Sequence, residues 1–472
     1  MKKRMLSVLL TTVMAAGMLA GCGGGSSQQA AEPAKEEAAK EETAEAPAEQ
    51  AEAPAEETAS EEGKVFNIYC WNEEFKSRLT DHYPGYQEVD ATHGKIGDVD
   101  VVWNITPNQD NAYQNNLDQK LLAQADAPAD EKIDLFLVEA DYAIKYVDTD
   151  YTLPIADLGI TDADLSKQFQ YTKDTVTDSN GVLKGVSWQG CPGVLIYNRE
   201  AAKEIFGTDD QAAIQEKVKD WDTFIATAKE VAAAGYKMTA GPDDYYRVFD
   251  FNKEGKSVQD GKIVINPSIE KWIEVSKELY DAKAIGSASL WDEDWNKGFY
   301  PEGKVFCHFG PAWLVDFSMK AEDATSIAAQ GGWAATAGPQ GFAWGGTWIT
   351  AAAGTDNPSL IKDIILKLTT DDEIMKDIVV KDNDFVNNKP VMEAMAQDQS
   401  YSNKVLGGQN PLGMFCEGAE NIAELKITAY DQTFTEQIQA AMKNYFEGNA
   451  TLDEAKEAFF KAVVEKHPEL SY

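Results

Sequence analysis

From residue 65 onward the apolar positions switch repeatedly between a period of two and a helical period. VFNIYCW (65–71) is rich in β-formers and alternates, which predicts a strand over 65–69. EEFKSRL (73–79) then takes helical spacing, with acids in its first turn. The pattern predicts a strand at 99–103, a helix at 112–124, a strand at 133–138 and a helix at 143–147. Strands alternating with helices imply an α/β fold with a mostly parallel sheet. Ligands bind such sheets beyond the carboxyl ends of the strands. Trp71, Glu73, Glu74, Glu139 and Asp141 all fall at such ends.

The stretch VSWQGCPGVLIYNRE (186–200) has a different character. Trp188 and Gln189 stand before a Gly-Cys-Pro-Gly break, and a short apolar run follows. Pro192 and Gly193 fit poorly inside a paired strand, so the pattern reads as a strand that leaves one sheet and joins a second. WGGTW (344–348) is a matching break before the apolar run 349–353, with Trp344 and Trp348 on either side. Two such crossings would join two lobes; two ordinary strand-loop junctions in one domain would look the same.

Between and after the breaks the chain is largely helical: 201–206, 214–218, 221–234 and 269–282. Asp220 with Thr223 marks a helix start and Gly235 a stop. Trp272 is expected in the core. Trp291 and Trp295, four apart, predict one helix face, turned either to the core or to a cleft rim. A strand at 305–309 runs into Gly-Pro, which leaves Trp313 at a strand end. Helices are expected at 359–369, 372–379, 433–446 and 452–465, with a loop at 384–387.

Length and charge narrow the function. A chain of 472 residues is too long for one compact core. Its net charge of −37 opposes nucleic acid and anionic membrane surfaces. Arginine is confined to Arg4, Arg78, Arg199 and Arg247, which disfavours an anionic ligand. Residues 1–21 have a basic start and an apolar run too short to span a bilayer, as a signal peptide does. They end in LAGC, which resembles a bacterial lipobox, so Cys22 is the expected site of lipid attachment. Residues 22–62 form an acidic linker whose only cations are Lys35 and Lys40, too poor in apolar surface to fold. About forty residues reach at most roughly 130–145 Å, a tether from a membrane to a folded body. No phosphate loop, HExxH, CxxC or GxSxG signature is present, the four histidines are scattered, and neither metal nor cofactor is expected. Cys70, Cys191, Cys307 and Cys416 are too widely spaced to indicate pairing.

The lipobox, the linker and the body from about residue 64 onward resemble the carbohydrate-binding lipoproteins of ABC importers, the maltose-binding-protein-like branch of extracellular solute-binding family 1. The stretches that carry this are IDLFLVEADYAIKYVD, GVLKGVSWQGCPGVLIYNREAAKEIFGTDD, EGKVFCHFGPAWLVDF, AGPQGFAWGGTWITAAAGTDNPSLIKDIILKL and NYFEGNATLDEAKEAF. The resemblance implies a two-lobe α/β periplasmic-binding-protein-like fold with discontinuous lobes, hinge strands and a ligand cleft between them. Lobe 1 would comprise 63–192 with 345–389, and lobe 2 would comprise 193–344 with 390–472. It implies an oligosaccharide ligand, ABC transporter permease subunits as partners, no catalysis, a monomer, and a lipid-anchored position on the outer face of the cell membrane. A pyranose packs its C–H face on an aromatic ring and offers its hydroxyls to carboxylates and amides. The expected ligand contacts are Trp71, Glu73, Glu74, Glu139, Asp141, Trp188, Gln189, Trp313, Trp344 and Trp348, with Gln409 and Tyr430 from late loops. Relatives often carry a carboxylate where Cys191 stands. A surface glycoside hydrolase, or the same receptor fold binding a polyamine-like cation, are the rival expectations.

Overall fold

The computed structural model describes residues 63–422 and 425–472; the leader, Cys22 and the linker as far as residue 62 lie outside them. In chain order the strands begin with β1 (Val65–Cys70), β2 (Tyr86–Glu88), β3 (His93–Ile96), β4 (Val99–Ile105), β5 (Leu135–Glu139), β6 (Val186–Ser187) and β7 (Pro192–Asn198). They continue with β8 (Val258–Gln259), β9 (Lys262–Ile263), β10 (Cys307–Gly310), β11 (Trp333–Thr336), β12 (Phe342–Ala343) and β13 (Thr347–Ala351). One sheet has seven strands in the order β2-β3-β4-β1-β5-β13-β6; a second gathers β10, β11 and β12 around β7; β8 and β9 form a separate hairpin.

The first sheet is mixed, where a mostly parallel one was expected. Only β4, β1 and β5 run parallel. β2 and β3 form an antiparallel ribbon at one edge, and β13 and β6 run antiparallel at the other. The reason is topological. β13 re-enters from the second sheet and must come back against β5. Alternation in β1 divides the core around this sheet. Phe66, Ile68 and Cys70 pack with Phe75, Leu79 and Ile365 on one face, while Tyr69 joins Tyr113 and Val138 on the other. Each such buried side chain contributes about 1.5–3 kcal/mol.

Both breaks are crossings between sheets. β6 pairs with β13 in the first sheet, and after Gly190 and Cys191 the chain becomes the centre of the second. Cys191 takes a left-handed φ of 53°. Pro192 and Gly193 nevertheless lie inside β7, opposite Ala343 and Phe342. Pro192 is the first residue of the strand, where a missing donor is tolerated. Gly193 is required because a Cβ there would land in the Phe342 ring. The return crossing uses Gly345 and Gly346, both at positive φ, between β12 and β13.

Most predicted helices appear with ends displaced by a few residues, such as Ala112–Ala123, Trp221–Ala233, Pro267–Asp281 and Asp431–Phe446. Asp220 caps its helix in a reciprocal box with Thr223, and Trp272 is fully buried. Trp291 and Trp295 do not share a helix face. The helix is only Glu293–Lys297, so Trp295 is buried while Trp291 precedes the cap at φ 72° and is 55% exposed. Tyr246–Phe251, Lys389–Ala396 and Leu412–Glu420 are helices the pattern did not predict. All four body cysteines are free.

Candidate ligand-binding cleft

Beyond the carboxyl ends of β1 and β5 lies a cavity of about 1400 Å³. The loop after β1 supplies Trp71, Glu73, Glu74 and Arg78, and the loop after β5 supplies Glu139, Asp141 and Tyr142. Asp243, Arg247 and Trp291 come from the helical region between β7 and β10. A π-helical turn, Leu314–Ser318, follows the Gly-Pro after β10; Trp313, Asp316 and Phe317 from this segment line the same space. Thr435, Gln439 and Lys443 line it from the helix Asp431–Phe446.

The aromatic residues form two groups. Trp71 has its ring edge-on to Tyr113 and Tyr142, with centroids 5.6 and 6.2 Å away. Trp313 and Trp344 meet at 4.9 Å, and Trp291 lies 6.1 Å from Trp313 and 5.8 Å from Trp344. Trp313 donates its indole N–H to the Trp344 carbonyl at 3.2 Å, which fixes its plane. Phe317, 74% exposed, extends this apolar surface. Rings held by neighbours in this way are ready-made flat platforms.

The polar groups form a network that ties the crossings together. Gln189 donates to Glu74 at 2.5 Å and to Asp384 at 3.1 Å, and its carbonyl oxygen accepts from the Thr347 amide at 3.1 Å. One side chain from the first crossing therefore holds the β1 loop, the second crossing and the 384–387 segment. Arg78 is shared among Glu74, Asp382 and Asp384. Across the cavity Arg247 makes a two-pronged pair with Asp141 at 2.6 and 2.5 Å. Gln432 reaches Asn111 at 2.9 Å and Gln114 at 3.1 Å, a second bridge between the two sides.

Acids outnumber bases on the walls, where Arg78, Arg247 and Lys443 are the cations among the described residues. Burial, then the neighbouring Asp384, pushes the Glu74 carboxyl up to about 7, against the pull of Arg78. Burial raises Asp316 to about 7, opposed by its bond from Asn403. Asp243 goes to about 7 through burial and then Asp244. Glu139 is raised by burial first and by Asp141 second, and Arg247 opposes both. The walls thus combine flat apolar surface with carboxyl groups that gain from a donor brought by a ligand.

The profile of the bacterial extracellular solute-binding protein family matches residues 104–406, well over half of the chain. The chain belongs to this family.

No curated protein matches the sequence. Among solved structures, one described as an extracellular solute-binding protein of family 1 aligns with a TM-score of 0.67 at 16% identity, covering 85% of this chain and 100% of its own. The ABC-transporter-associated binding protein of B. animalis subsp. lactis Bl-04, solved with β-1,6-galactobiose, gives 0.62 at 17% identity, covering 86% of this chain and 98% of its own. The galacto-N-biose/lacto-N-biose I-binding protein of Bifidobacterium longum, solved with lacto-N-biose, gives 0.63 at 14%, covering 87% and 98%. These likenesses establish the two-lobe fold, and the proteins they are drawn to are binding proteins.

In this solute-binding protein the cleft brings together Trp71, Glu73, Glu74, Glu139, Asp141, Gln189, Trp313 and Trp344. Several of these already have partners within the chain. Asp141 is tied to Arg247, and Glu73 stands at the rim, 70% exposed, 3.7 Å from Lys76. Four other expected contacts lie elsewhere. Trp188 is buried in the core, stacked on Phe75 at 5.5 Å. Trp348 is buried too, with its indole N–H bonded to the Thr172 carbonyl at 2.7 Å. Trp188 precedes the first crossing and Trp348 follows the second, and each side chain packs into the core beside the first sheet. Gln409 pairs its amide with the Ala335 backbone at 2.8 and 2.9 Å, and Tyr430 packs edge-on to His467. Cys191, where relatives often have a carboxylate, holds a buried thiol that burial keeps protonated.

Sequence reasoning missed Arg78, Asp243, Arg247, Asp316 and Phe317 on these walls, and left Trp291 between core and cleft rim. The scarcity of arginine was a usable signal, since Arg78 and Arg247 are two of the three in the body. Asp316 and Phe317 had none, because a π turn is not visible as a period.

Proposed function

We propose that this solute-binding protein captures an oligosaccharide between its lobes and delivers it to the permease of an ABC importer, without catalysis. The observation that carries this is the pair of aromatic platforms on the walls of one large cleft, Trp71 with Tyr142 and Trp313 with Trp344 and Trp291. A pyranose needs such a ring beneath its C–H face and acceptors at its edge. The volume exceeds the roughly 300–1,000 Å³ common for small-molecule sites, which favours a chain of sugar units over a single one. The disaccharides bound by two structural neighbours are consistent with that class.

The lobes of this reading are 63–192 with 345–389, and 193–344 with 390–472; the positive-φ glycines at 345 and 346 and the sheet change at 190–192 support those limits. Ligand holds the lobes together because it meets both walls only when they are close. Cys22 in LAGC carries a lipid, the acidic linker spaces a monomeric receptor from the outer face of the membrane, and Cys22→Ala releases it into the medium. Calorimetry and small-angle scattering against a panel of oligosaccharides test the central claim. Heat of binding with a more compact scattering profile is expected. No heat and an unchanged profile for every saccharide, or cleavage products after long incubation, would reject it.

A further inference from the structure

We propose that the saccharide this cleft takes is cationic, an oligosaccharide bearing primary ammonium groups, with one ammonium seated against Glu139 beside the Trp313–Trp344 platform. This rests on the saccharide reading above and narrows its substrate class.

The first observation is that the cations of the cleft are already committed. Arg78 serves three carboxylates, Glu74, Asp382 and Asp384. Arg247 is held by Asp141 in a two-pronged pair and lies 4.0 Å from Asp250. Lys443 bonds Ser289 at 3.1 Å, and its charge is felt at Asp243. Glu139 and Asp316 are among the wall carboxyl groups whose hydrogen-bond partners are neutral. Glu139 accepts backbone N–H groups, that of Asp141 at 2.9 Å and that of Ala140, and Asp316 accepts from the side-chain amides of Asn403, at 3.2 Å, and Asn383. The charges around Glu139 are Asp141, which raises its carboxyl, and Arg247, which opposes it less strongly, with the neutral Tyr142 hydroxyl and Cys191 thiol beside them.

The second observation is what surrounds Glu139. A Cβ added to Gly345 would stand 3.4 Å from Cζ2 of Trp313 and 3.6 Å from Oε1 of Glu139. Carboxylate and indole therefore share one small region of wall, which a side chain at 345 would fill. Trp344 completes the platform 4.9 Å from Trp313. Tyr142, nine-tenths buried and lining the cleft after β5, has a hydroxyl with no hydrogen-bond partner among the described residues. An ammonium has three donors, and ring faces attract it within about 6 Å of a centroid. Glu139 offers a carboxyl acceptor, and the indoles of Trp313 and Trp344 offer faces.

A neutral sugar hydroxyl also donates to a carboxylate, but it leaves the charge unmatched. Burial and Asp141 hold the Glu139 carboxyl above its ordinary range, so the empty site resists ionisation. An ammonium reverses that preference, and its binding near neutral pH expels the proton from Glu139. A neutral ligand has no such effect.

The test is calorimetry of the protein with three tetrasaccharides of equal length and linkage: β-1,4-glucosamine, β-1,4-N-acetylglucosamine and cellotetraose. Spermidine serves as a non-sugar cation. Each titration is run in phosphate and in Tris, whose ionisation heats differ, so that released protons are counted. The glucosamine chain is expected to bind at least tenfold tighter than the two neutral chains, with proton release. Glu139→Gln, with unfolding checked by thermal melting, is expected to lower that affinity about tenfold to a hundredfold, the scale of a charged hydrogen bond, and to abolish the proton release. Asp316→Asn is the second variant should the first fail to fold, with a smaller loss expected. Equal or tighter binding of a neutral chain, or no effect of either variant, overturns the cationic inference and leaves the saccharide receptor standing. Binding of spermidine alone overturns both. Silence from all four probes overturns the inference, and the wider oligosaccharide panel then judges the receptor reading by itself.

Discussion

On the proposed lobe division the Arg247–Asp141 pair joins the helix Tyr246–Phe251 of lobe 2 to the loop after β5 in lobe 1, so opening of the cleft would break it. Replacing Arg247 by Met keeps an unbranched apolar stem but removes the guanidinium. Breaking one partner of a fully buried pair costs about 3–5 kcal/mol, and an exposed pair is worth only about 0.2–1 kcal/mol. Here the side chains are 15% and 26% exposed, between those limits. The expected loss is therefore about 1–3 kcal/mol, by interpolation between the two cases. Most of it falls on the closed form, which alone contains the bond, and it shifts the open-to-closed ratio by about 5- to 150-fold. Ligand-free R247M should give a larger radius of gyration in solution scattering, and its ligand affinity should weaken by a similar factor because closure costs more. Asp141→Asn should act in the same direction, with the double variant less affected than the sum of the singles. Additive effects, together with a ligand-free scattering profile identical to wild type, would refute the assignment of this pair as a closure contact.

Trp71→Ala and Trp344→Ala should each weaken ligand binding by about 1–3 kcal/mol, the cost of removing an aromatic contact, measured by calorimetry; unchanged affinity in a folded variant would remove that ring from the site. Gly193→Ala should lower stability by about 1–3 kcal/mol through overpacking against Phe342, read as a fall in thermal midpoint. Asp243 has a folded-state value of about 7, above the unfolded value near 4. The folded protein therefore binds this proton more tightly than the unfolded chain. Its stabilising contribution is full below about pH 4 and is lost as pH rises to about 7, by at most roughly 4 kcal/mol. Asp243→Asn should remove that dependence, so the wild-type midpoint should fall relative to the variant between pH 4 and 8; parallel midpoint curves would contradict it.

The two crossings were legible because they depend on backbone chemistry carried by single residues. Glycine, proline and an apolar run mark where a strand changes sheets, whatever lies around them, and both breaks are crossings in the fold. The strand ends that carry Trp71 and Glu139 were legible for the same local reason, through a period of two that stops. Which way a tryptophan at a crossing faces was not local. Trp344 meets the cleft and Trp348 the core, although both flank the same pair of glycines. Their directions depend on strand register, which is set by pairing with distant partners. Trp291 parts from Trp295 because the helix Glu293–Lys297 begins two residues after Trp291.

By itself, then, the sequence determined the alternating elements, the acidic character and the places of the two breaks, since these follow from propensity and charge along neighbouring residues; that both breaks join two sheets was decided by the fold. Tertiary structure alone decided the antiparallel return of β13, the Arg247–Asp141 bridge across 106 positions and the meeting of Trp313 with Trp344 on one wall. Those features arise where segments far apart in the chain compete for the same space. No local pattern encodes which of them wins.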